Sequence, residues 1–150
     1  MNIDVIIPCY NEERTIEKTI IRSIENLSTK DNLLVVDDGS TDKSNFLIKN
    51  LANKFSNISL IKHEKNLGKG AAIKTALKKV KNEIVIIQDS DLEYNPSEYK
   101  KLIKPILEFR ADVVYGSRFV SSDEHRVLYF WHQIGNNILT LLSNIFTNLN

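Results

Sequence analysis

The sequence predicts an α/β fold, a mostly parallel sheet with helices on both faces. Short β-rich apolar runs alternate with amphipathic helical patterns, the order expected of strands joined by covering helices. One run, Ile84–Ile87, is apolar at every position, as in a central strand buried on both faces. The runs end in polar or glycine-containing turns, where such a sheet passes into its next helix. With 150 residues, 42% of them apolar, the chain suits one compact domain spanning residues 1–150.

The first run, Ile3 to Ile7, is stopped by Pro8, and a helix follows with Ile16, Ile20, Ile24 and Leu27 on one stripe. The second strand, Leu33 to Val36, enters the turn Asp37-Asp38-Gly39-Ser40. Ser40, Thr41 or Asp42 can cap the next helix, whose inner stripe is Leu47, Leu51 and Phe55 with Ile48 beside it. Ile58 to Ile61 is the third strand, and Gly70 to Val80 a helix packing Ile73, Leu77 and Val80. After the fourth strand, Ile84 to Ile87, Asn95-Pro96-Ser97 opens a helix that Pro105 should kink or interrupt. Val113 to Tyr115 is a fifth strand ending in Gly116-Ser117-Arg118, and Ile134, Ile138, Leu141, Leu142 and Ile145 mark a last amphipathic helix. No internal repeat or linker divides the chain.

Charge and composition exclude several classes. Twenty Lys and Arg against 19 Asp and Glu leave a formal charge of +1, too little basic excess for a general nucleic-acid binder. One cysteine, Cys9, cannot make an internal disulfide, so nothing points to an oxidising compartment. The first residues lack the basic leader of a signal peptide. No apolar stretch approaches the ~20 residues of a membrane span. The expected location is cytoplasmic.

The polar clusters share one position. Pro8-Cys9-Tyr10-Asn11-Glu12 follows the first strand, Asp37-Asp38 the second, Asn66-Leu67-Gly68-Lys69-Gly70 the third, Asp89-Ser90-Asp91 the fourth and Arg118 the fifth. All lie at carboxyl ends, which share one edge of a parallel sheet, where ligands bind. Residues two apart on an extended segment point the same way, so Asp89 and Asp91 can face one point. Two hard oxygen donors suit Mg²⁺ or Mn²⁺, which completes its shell with water and a diphosphate; Glu93 is a candidate third ligand. An Asp-x-Asp is also a common surface turn, and only its place after an apolar strand favours the metal.

The glycine loop offers close backbone approach, a helix N-terminus and the charge of Lys69, the parts of a phosphate cradle. It departs from the Walker pattern, and Ile73 stands where the dinucleotide fingerprint needs its third glycine. An ordinary helix start with a solvated lysine fits as well. Asp37 can accept from a base or ribose, whereas Asp38 reads first as a turn former; Tyr10 can stack on a base or pack at the sheet edge; Glu12 can serve the ligand or only the helix dipole. Arg118, then His125-Arg126-Val127-Leu128-Tyr129-Phe130-Trp131-His132, interleaves cations with aromatics. That segment reads as a packed helix start, or as a grip on an anionic head group by Arg118 and Arg126 at an apolar rim. His132 is more ordinary as a packed or surface histidine than as a ligand.

Taken together, VIIPCYNEERTI, VVDDGSTD, NLGKGAAI, QDSDLEYNP and VYGSRF, in that order, resemble a family 2 glycosyltransferase of GT-A fold, a Rossmann-like architecture. HRVLYFWHQIGNNILTLLSN after GSRF makes the likeness closer to the dolichyl-phosphate or polyprenyl-phosphate sugar synthases. The resemblance covers the whole chain. It implies a nucleoside-diphosphate sugar, GDP- or UDP-linked, bound at the strand ends, with Pro8, Tyr10, Asn11, Glu12 and Asp37 on its nucleoside side, Asp38 also among the donor-binding residues, and Gly68 and Lys69 near base, ribose or phosphates. It implies Mg²⁺ or Mn²⁺ on Asp89 and Asp91, with Glu93 standing where several relatives have Gln. It implies a lipid phosphate acceptor held by Arg118, Arg126 and His132, and hence peripheral contact with a membrane. Such domains generally continue into a segment that closes the site, so the chain reads as incomplete at its C-terminus. The expected reaction is inverting transfer to polyprenyl or dolichyl phosphate. The alternatives are a nucleotide-sugar-binding but inactive fragment and a family 2 enzyme acting on a sugar hydroxyl in polysaccharide synthesis.

Overall fold

In the computed structural model, which describes residues 2–116, the elements follow in the order β1 (Ile3–Cys9), α1 (Ile16–Glu25), β2 (Asn32–Asp37), α2 (Ser44–Lys54), β3 (Ile58–Lys62), α3 (Lys69–Leu77), β4 (Ile84–Ile87), a 3-10 turn (Pro96–Glu98) and α4 (Tyr99–Leu107). The chain separates into two units, Met1–Val114 and Tyr115–Asn150, and the described residues fall almost wholly in the first. The four strands form one parallel sheet in the order β3-β2-β1-β4.

Side chains alternate along each strand and so feed two separate cores. Val5, Ile7, Cys9, Leu33 and Val35 face Ile16 and Ile20 of α1, Ile48 and Leu51 of α2 and Tyr99 of α4. Ile6, Leu34 and Val36 face Ala72 and Ala76 of α3 on the opposite side. Burying a Val, Leu or Ile side chain is worth about 1.5–3 kcal/mol. The sandwiched β1, buried at all seven positions, is therefore the spine of the sheet. At its amino end Asp4 and Asp31 do purely structural work. Asp4 accepts from Asn32, the Lys81 and Asn82 amides and the Asn82 side chain, and Asp31 from the Ile3 amide at 2.8 Å.

Several expectations need correction. Val113–Tyr115 is not a strand: it pairs with nothing among the described residues, and Val113 is 64% and Tyr115 91% exposed. Without a partner strand among the described residues, these three apolar residues have no ladder to join, and Val113 and Tyr115 stay open to solvent. The run Ile84–Ile87 is consequently the edge of the described sheet, with Ile87 52% exposed, and the central place belongs to β1. Leu77 and Phe55 are exposed rather than inner-stripe residues, because α3 approaches the sheet through Ala72 and Ala76 and α2 through Ile48 and Leu51. The predicted caps lie just outside α2, which begins at Ser44, although Asp42 Oδ1 accepts from the Ser44 amide at 2.9 Å. Pro105 is carried inside α4, which ends two residues later.

Pro8 does not stop β1 either, since the strand runs on to Cys9. Gln88 N donates to Ile6 O on one side of β1, and Asp38 N to Cys9 O on the other. Pro8, two residues beyond Ile6, would point its missing N–H toward β4. The β1–β2 register therefore continues to Cys9↔Asp37 while the β1–β4 register ends at Ile6↔Ile87. No helix among the described residues is long and apolar enough to cross a membrane.

Candidate active site

The chain builds from β1 outward to β2 and β3, then returns to place β4 on the other flank of β1. Strand order thus reverses between β1 and β4, the topological switch point at which open α/β sheets bind ligands. A cleft of about 340 Å³ lies there, lined by Pro8, Cys9, Tyr10, Glu12, Asp38, Asn66, Lys69, Asp89, Ser90 and Asp91. The end of pairing at Pro8 lets β1 and β4 part at this edge.

The two loops nearest β1 and β2 are laced together. Asn11 sits at φ 55°, a left-handed conformation that Asn tolerates, and its Oδ1 accepts from the Thr41 amide at 2.8 Å. The Asn11, Glu12 and Glu13 amides donate to Ser40 Oγ, Ser44 Oγ and Asp42 Oδ2. Glu12 also accepts from Thr15 Oγ1 at 2.7 Å, which holds its carboxylate beside the cleft at the entry to α1. Burial pushes the Cys9 thiol up to about 12 against a hydrogen bond from Ser44, with Asp37, Glu12 and Asp42 adding to the rise. Cys9 is a neutral floor to the cleft.

Adjacent aspartates at the end of β2 face opposite ways, as strand alternation requires. Asp37 is fully buried toward α2, accepting from the Ser40 amide at 3.0 Å and from Asn45 Nδ2 at 2.6 Å. Asp38 turns toward α3 and receives His63 Nδ1 at 2.6 Å, the Leu67 amide at 3.0 Å and the Gly68 amide at 2.8 Å. Burial raises the Asp38 carboxyl, but these donors and the His63 charge outweigh it and hold it below the usual carboxylate range. His63 is itself steadied through Nε2 by Thr75 of α3 at 3.0 Å. Gly39, at φ 74°, passes so close to the loop after β3 that a Cβ there would lie 2.6 Å from the Asn66 nitrogen. Gly68, at φ 90°, makes the turn into α3 and brings Lys69 to the cleft.

Lys69 forms an ion pair with Asp89 across the opening. The Asp89–Ser90–Asp91 segment rests on buried supports. Thr19 Oγ1 of α1 donates to Ser90 O at 2.9 Å, and Tyr99 OH donates to Gln88 Oε1 at 2.7 Å. Gln88 Nε2 is buried without a hydrogen-bond partner among the described residues. Asp91 Oδ1 accepts from the Glu93 amide at 3.0 Å, an Asx-type turn.

Of the residues singled out in the sequence, Pro8, Tyr10, Glu12, Asp38, Lys69, Asp89 and Asp91 line the cleft. Asn11, Asp37 and Gly68 stand behind it as loop supports, and Glu93 is exposed beyond the lining. Arg118, Arg126 and His132 lie outside the described residues. Sequence reasoning missed Thr19, His63, Gln88 and Tyr99. Each is a polar residue whose hydrogen-bond partner lies on another segment of the chain, a signal that motif spacing does not reveal.

No group of three or more His, Cys, Asp and Glu side chains is gathered as a cation cage among the described residues. The lining carries Glu12, Asp38, Asp89 and Asp91 against the single cation Lys69. Asp89 and Asp91 present oxygen donors on one short segment beside open space, the donor set a Mg²⁺ or Mn²⁺ ion uses when water and phosphate complete its shell. The residues fit such an ion.

Residues 4–147 match the model of the family described as "Glycosyl transferase family 2". The chain belongs to glycosyl transferase family 2. Within this family it is similar to a UDP-N-acetylglucosamine–dolichyl-phosphate N-acetylglucosaminyltransferase of Methanococcus voltae, at 32% identity over 94% of this chain and 61% of that one. It also resembles the solved mannosyltransferase of Pyrobaculum calidifontis in complex with GDP-Man and Mn²⁺, at 32% identity, TM-score 0.55, over 59% of this chain and 27% of that one. Glucosyl-3-phosphoglycerate synthase of Mycobacterium tuberculosis, solved with Mn²⁺, UDP and glucosyl-3-phosphoglycerate, is 30% identical with TM-score 0.59 over 71% of this chain and 39% of that one. These structural neighbours are GT-A glycosyltransferases, and the four-stranded parallel sheet of this family 2 chain is of that kind. The chain spans about 60% of the length of the first curated relatives it matches.

Proposed function

We propose that this chain is the donor-binding part of an inverting glycosyltransferase that moves a sugar from a nucleoside diphosphate to a polyprenyl or dolichyl phosphate. The observation that carries the reading is the composition of the cleft: four carboxylates and one lysine converge at the β1/β4 switch point. So acidic a cleft accepts a diphosphate only with added positive charge, which Asp89 and Asp91 are placed to recruit. Asp89 and Asp91 would hold a divalent cation, which would supply positive charge to the leaving nucleoside diphosphate.

The chain's own residues do the rest. Pro8, Tyr10 and Glu12 offer the nucleoside an apolar edge, a ring and a hydrogen-bond acceptor. Lys69 is exposed, so exchanging Asp89 for a phosphate oxygen takes only a rotation about its side chain. Lys69 is also the first residue of α3, whose N-terminus carries partial positive charge. Within the cleft Asp38 is held low, hydrogen bonds outweighing burial, and its oxygens are taken up by His63 and the Leu67 and Gly68 amides. A lipid phosphate acceptor, already anionic, needs no strong base, whereas a sugar hydroxyl does. Arg118 and Arg126 are the proposed grip on that phosphate, with His132 a further proposed contact. The reading places the chain at the cytoplasmic face of a membrane.

The test is transfer from labelled GDP-mannose, UDP-glucose and UDP-N-acetylglucosamine to dolichyl phosphate, with and without chelator. Chelator-sensitive formation of a glycolipid is expected, with Arg118→Ala losing acceptor affinity and keeping donor binding. A second reading is donor binding without transfer, since the residues assigned a role among those lining the cleft all serve the proposed donor or its cation. Nucleotide uptake with no glycolipid product selects it, and no uptake at all refutes both.

A further inference from the structure

Thr19 lies within α1 and is 2% exposed. A threonine inside a helix ordinarily gives its one proton to the carbonyl four residues back. Thr19 has that acceptor, Thr15 O at 3.1 Å, but Ser90 O is nearer at 2.9 Å and Asp91 O lies at 3.3 Å. The hydroxyl therefore reaches from α1 to the Ser90 and Asp91 carbonyls of the Asp89–Ser90–Asp91 segment, more than 70 residues away in sequence. The same stretch of α1 braces the preceding residue. Ser23 Oγ donates to Thr19 O at 2.9 Å, and Tyr99 OH lies 3.2 Å from Ser23 Oγ and donates to Gln88 Oε1 at 2.7 Å.

We infer that Thr19 is a positioning residue for the metal-binding segment, fixing the Ser90 and Asp91 carbonyls so that the Asp89 and Asp91 carboxylates share one orientation. The inference rests on the proposed function. The partners of the two carboxylates, the exposed Lys69 side chain on Asp89 and the Glu93 amide on Asp91, are on the open side of the segment, so a cation that displaces Lys69 leaves the backbone support to keep the pair in order. Ser90 is buried, and without the Thr19 hydroxyl its carbonyl loses its partner and turns to find water. The peptide planes on either side of Asp91 turn with it, which spreads the two carboxylates over several arrangements. Valine at position 19 preserves shape and β-branching and deletes only the donor, while serine keeps the donor.

The experiment titrates Mn²⁺ into the full chain with saturating UDP, and separately with GDP, for wild type, Thr19→Val, Thr19→Ser and Thr19→Cys, following free Mn²⁺ by electron paramagnetic resonance. Thermal melts are recorded on the same samples. Thr19→Val is expected to weaken Mn²⁺ by roughly 10- to 100-fold, the usual effect of losing a support behind a metal ligand, while Thr19→Ser restores it. A purely structural role moves the melt and leaves Mn²⁺ affinity alone. Mn²⁺ affinity of Thr19→Val within threefold of wild type overturns the inference and leaves the proposed function standing. Should Thr19→Val fail to unfold cooperatively, the near-isosteric Ser and Cys variants decide: equal Mn²⁺ affinity overturns the inference, and weaker binding by Cys, the poorer donor, supports it. Wild type that takes up no Mn²⁺ with either nucleotide overturns the inference together with the reading beneath it.

Discussion

Replacing Asp38 by asparagine removes a charge from the point where β2, β3 and the loop entering α3 are tied together. The carboxylate serves three donors, His63 Nδ1, Leu67 N and Gly68 N, and is 3% exposed. Asparagine keeps one acceptor oxygen, so its NH₂ faces at least one of those donors. Loss of a charge-assisted hydrogen bond and an unsatisfied buried donor together cost about 3 kcal/mol. That is a large part of the ~5–15 kcal/mol that holds a domain folded. The assay is urea unfolding of wild type and variant at pH 7 and pH 3. The Asp38 carboxyl is held below its ordinary value of 3.8, chiefly by hydrogen bonding that outweighs burial. Its stabilisation is therefore complete above that value and is lost as the pH falls through the folded value. The gap between wild type and variant should be widest at pH 7 and narrow toward pH 3. Because the same carboxylate holds the loop that carries Lys69, UDP or GDP binding should weaken in parallel. An unchanged urea midpoint at pH 7, or a gap that widens in acid, refutes the structural role of this carboxylate.

Gly39→Ala places a methyl against the Asn66 amide at φ 74°, so the loop after β3 must move; a loss of more than about 1 kcal/mol in urea unfolding is expected, and a neutral substitution counts against the close approach. Asp91→Ala should lower glycolipid formation on the order of 10²–10³-fold, as removal of other electrostatic stabilisers does, with transfer rates in the standard assay as the check. Cys9, 2% exposed and with its thiol pushed up to about 12 chiefly by burial, should resist iodoacetamide at pH 8 in the native protein and react on unfolding; rapid native labelling means the cleft floor opens.

The apolar runs and their spacing were sufficient for the order of elements from β1 to α4, because burial on a sheet face and on a helix stripe leaves a periodic trace in the chain. Boundaries were less legible. Pro8 reads as a strand end in isolation and is accommodated because its missing N–H falls where β4 no longer pairs. The whole of Ile84–Ile87 reads as central, yet strand order depends on which neighbours arrive, and Ile87 is left open. Within the candidate site, the Asp89–Asp91 pair, Lys69 and Tyr10 were visible as chemistry following strands. Thr19, His63 and Tyr99 were not, since their partners lie at sequence separations of 71, 25 and 11 residues.

The sequence by itself determined an α/β sheet whose polar residues gather at strand ends, because that much follows from periodicity and local turn chemistry. It also placed the chain in its family through the order of its motifs. Only the tertiary structure separated Asp37 from Asp38, sending the first to brace α2 and the second to hold the glycine loop. Only it revealed that α1 supports the Asp89–Asp91 segment from below. Long-range hydrogen bonds are selected by packing geometry, and a single proton shared across 71 residues leaves no pattern in the linear chain.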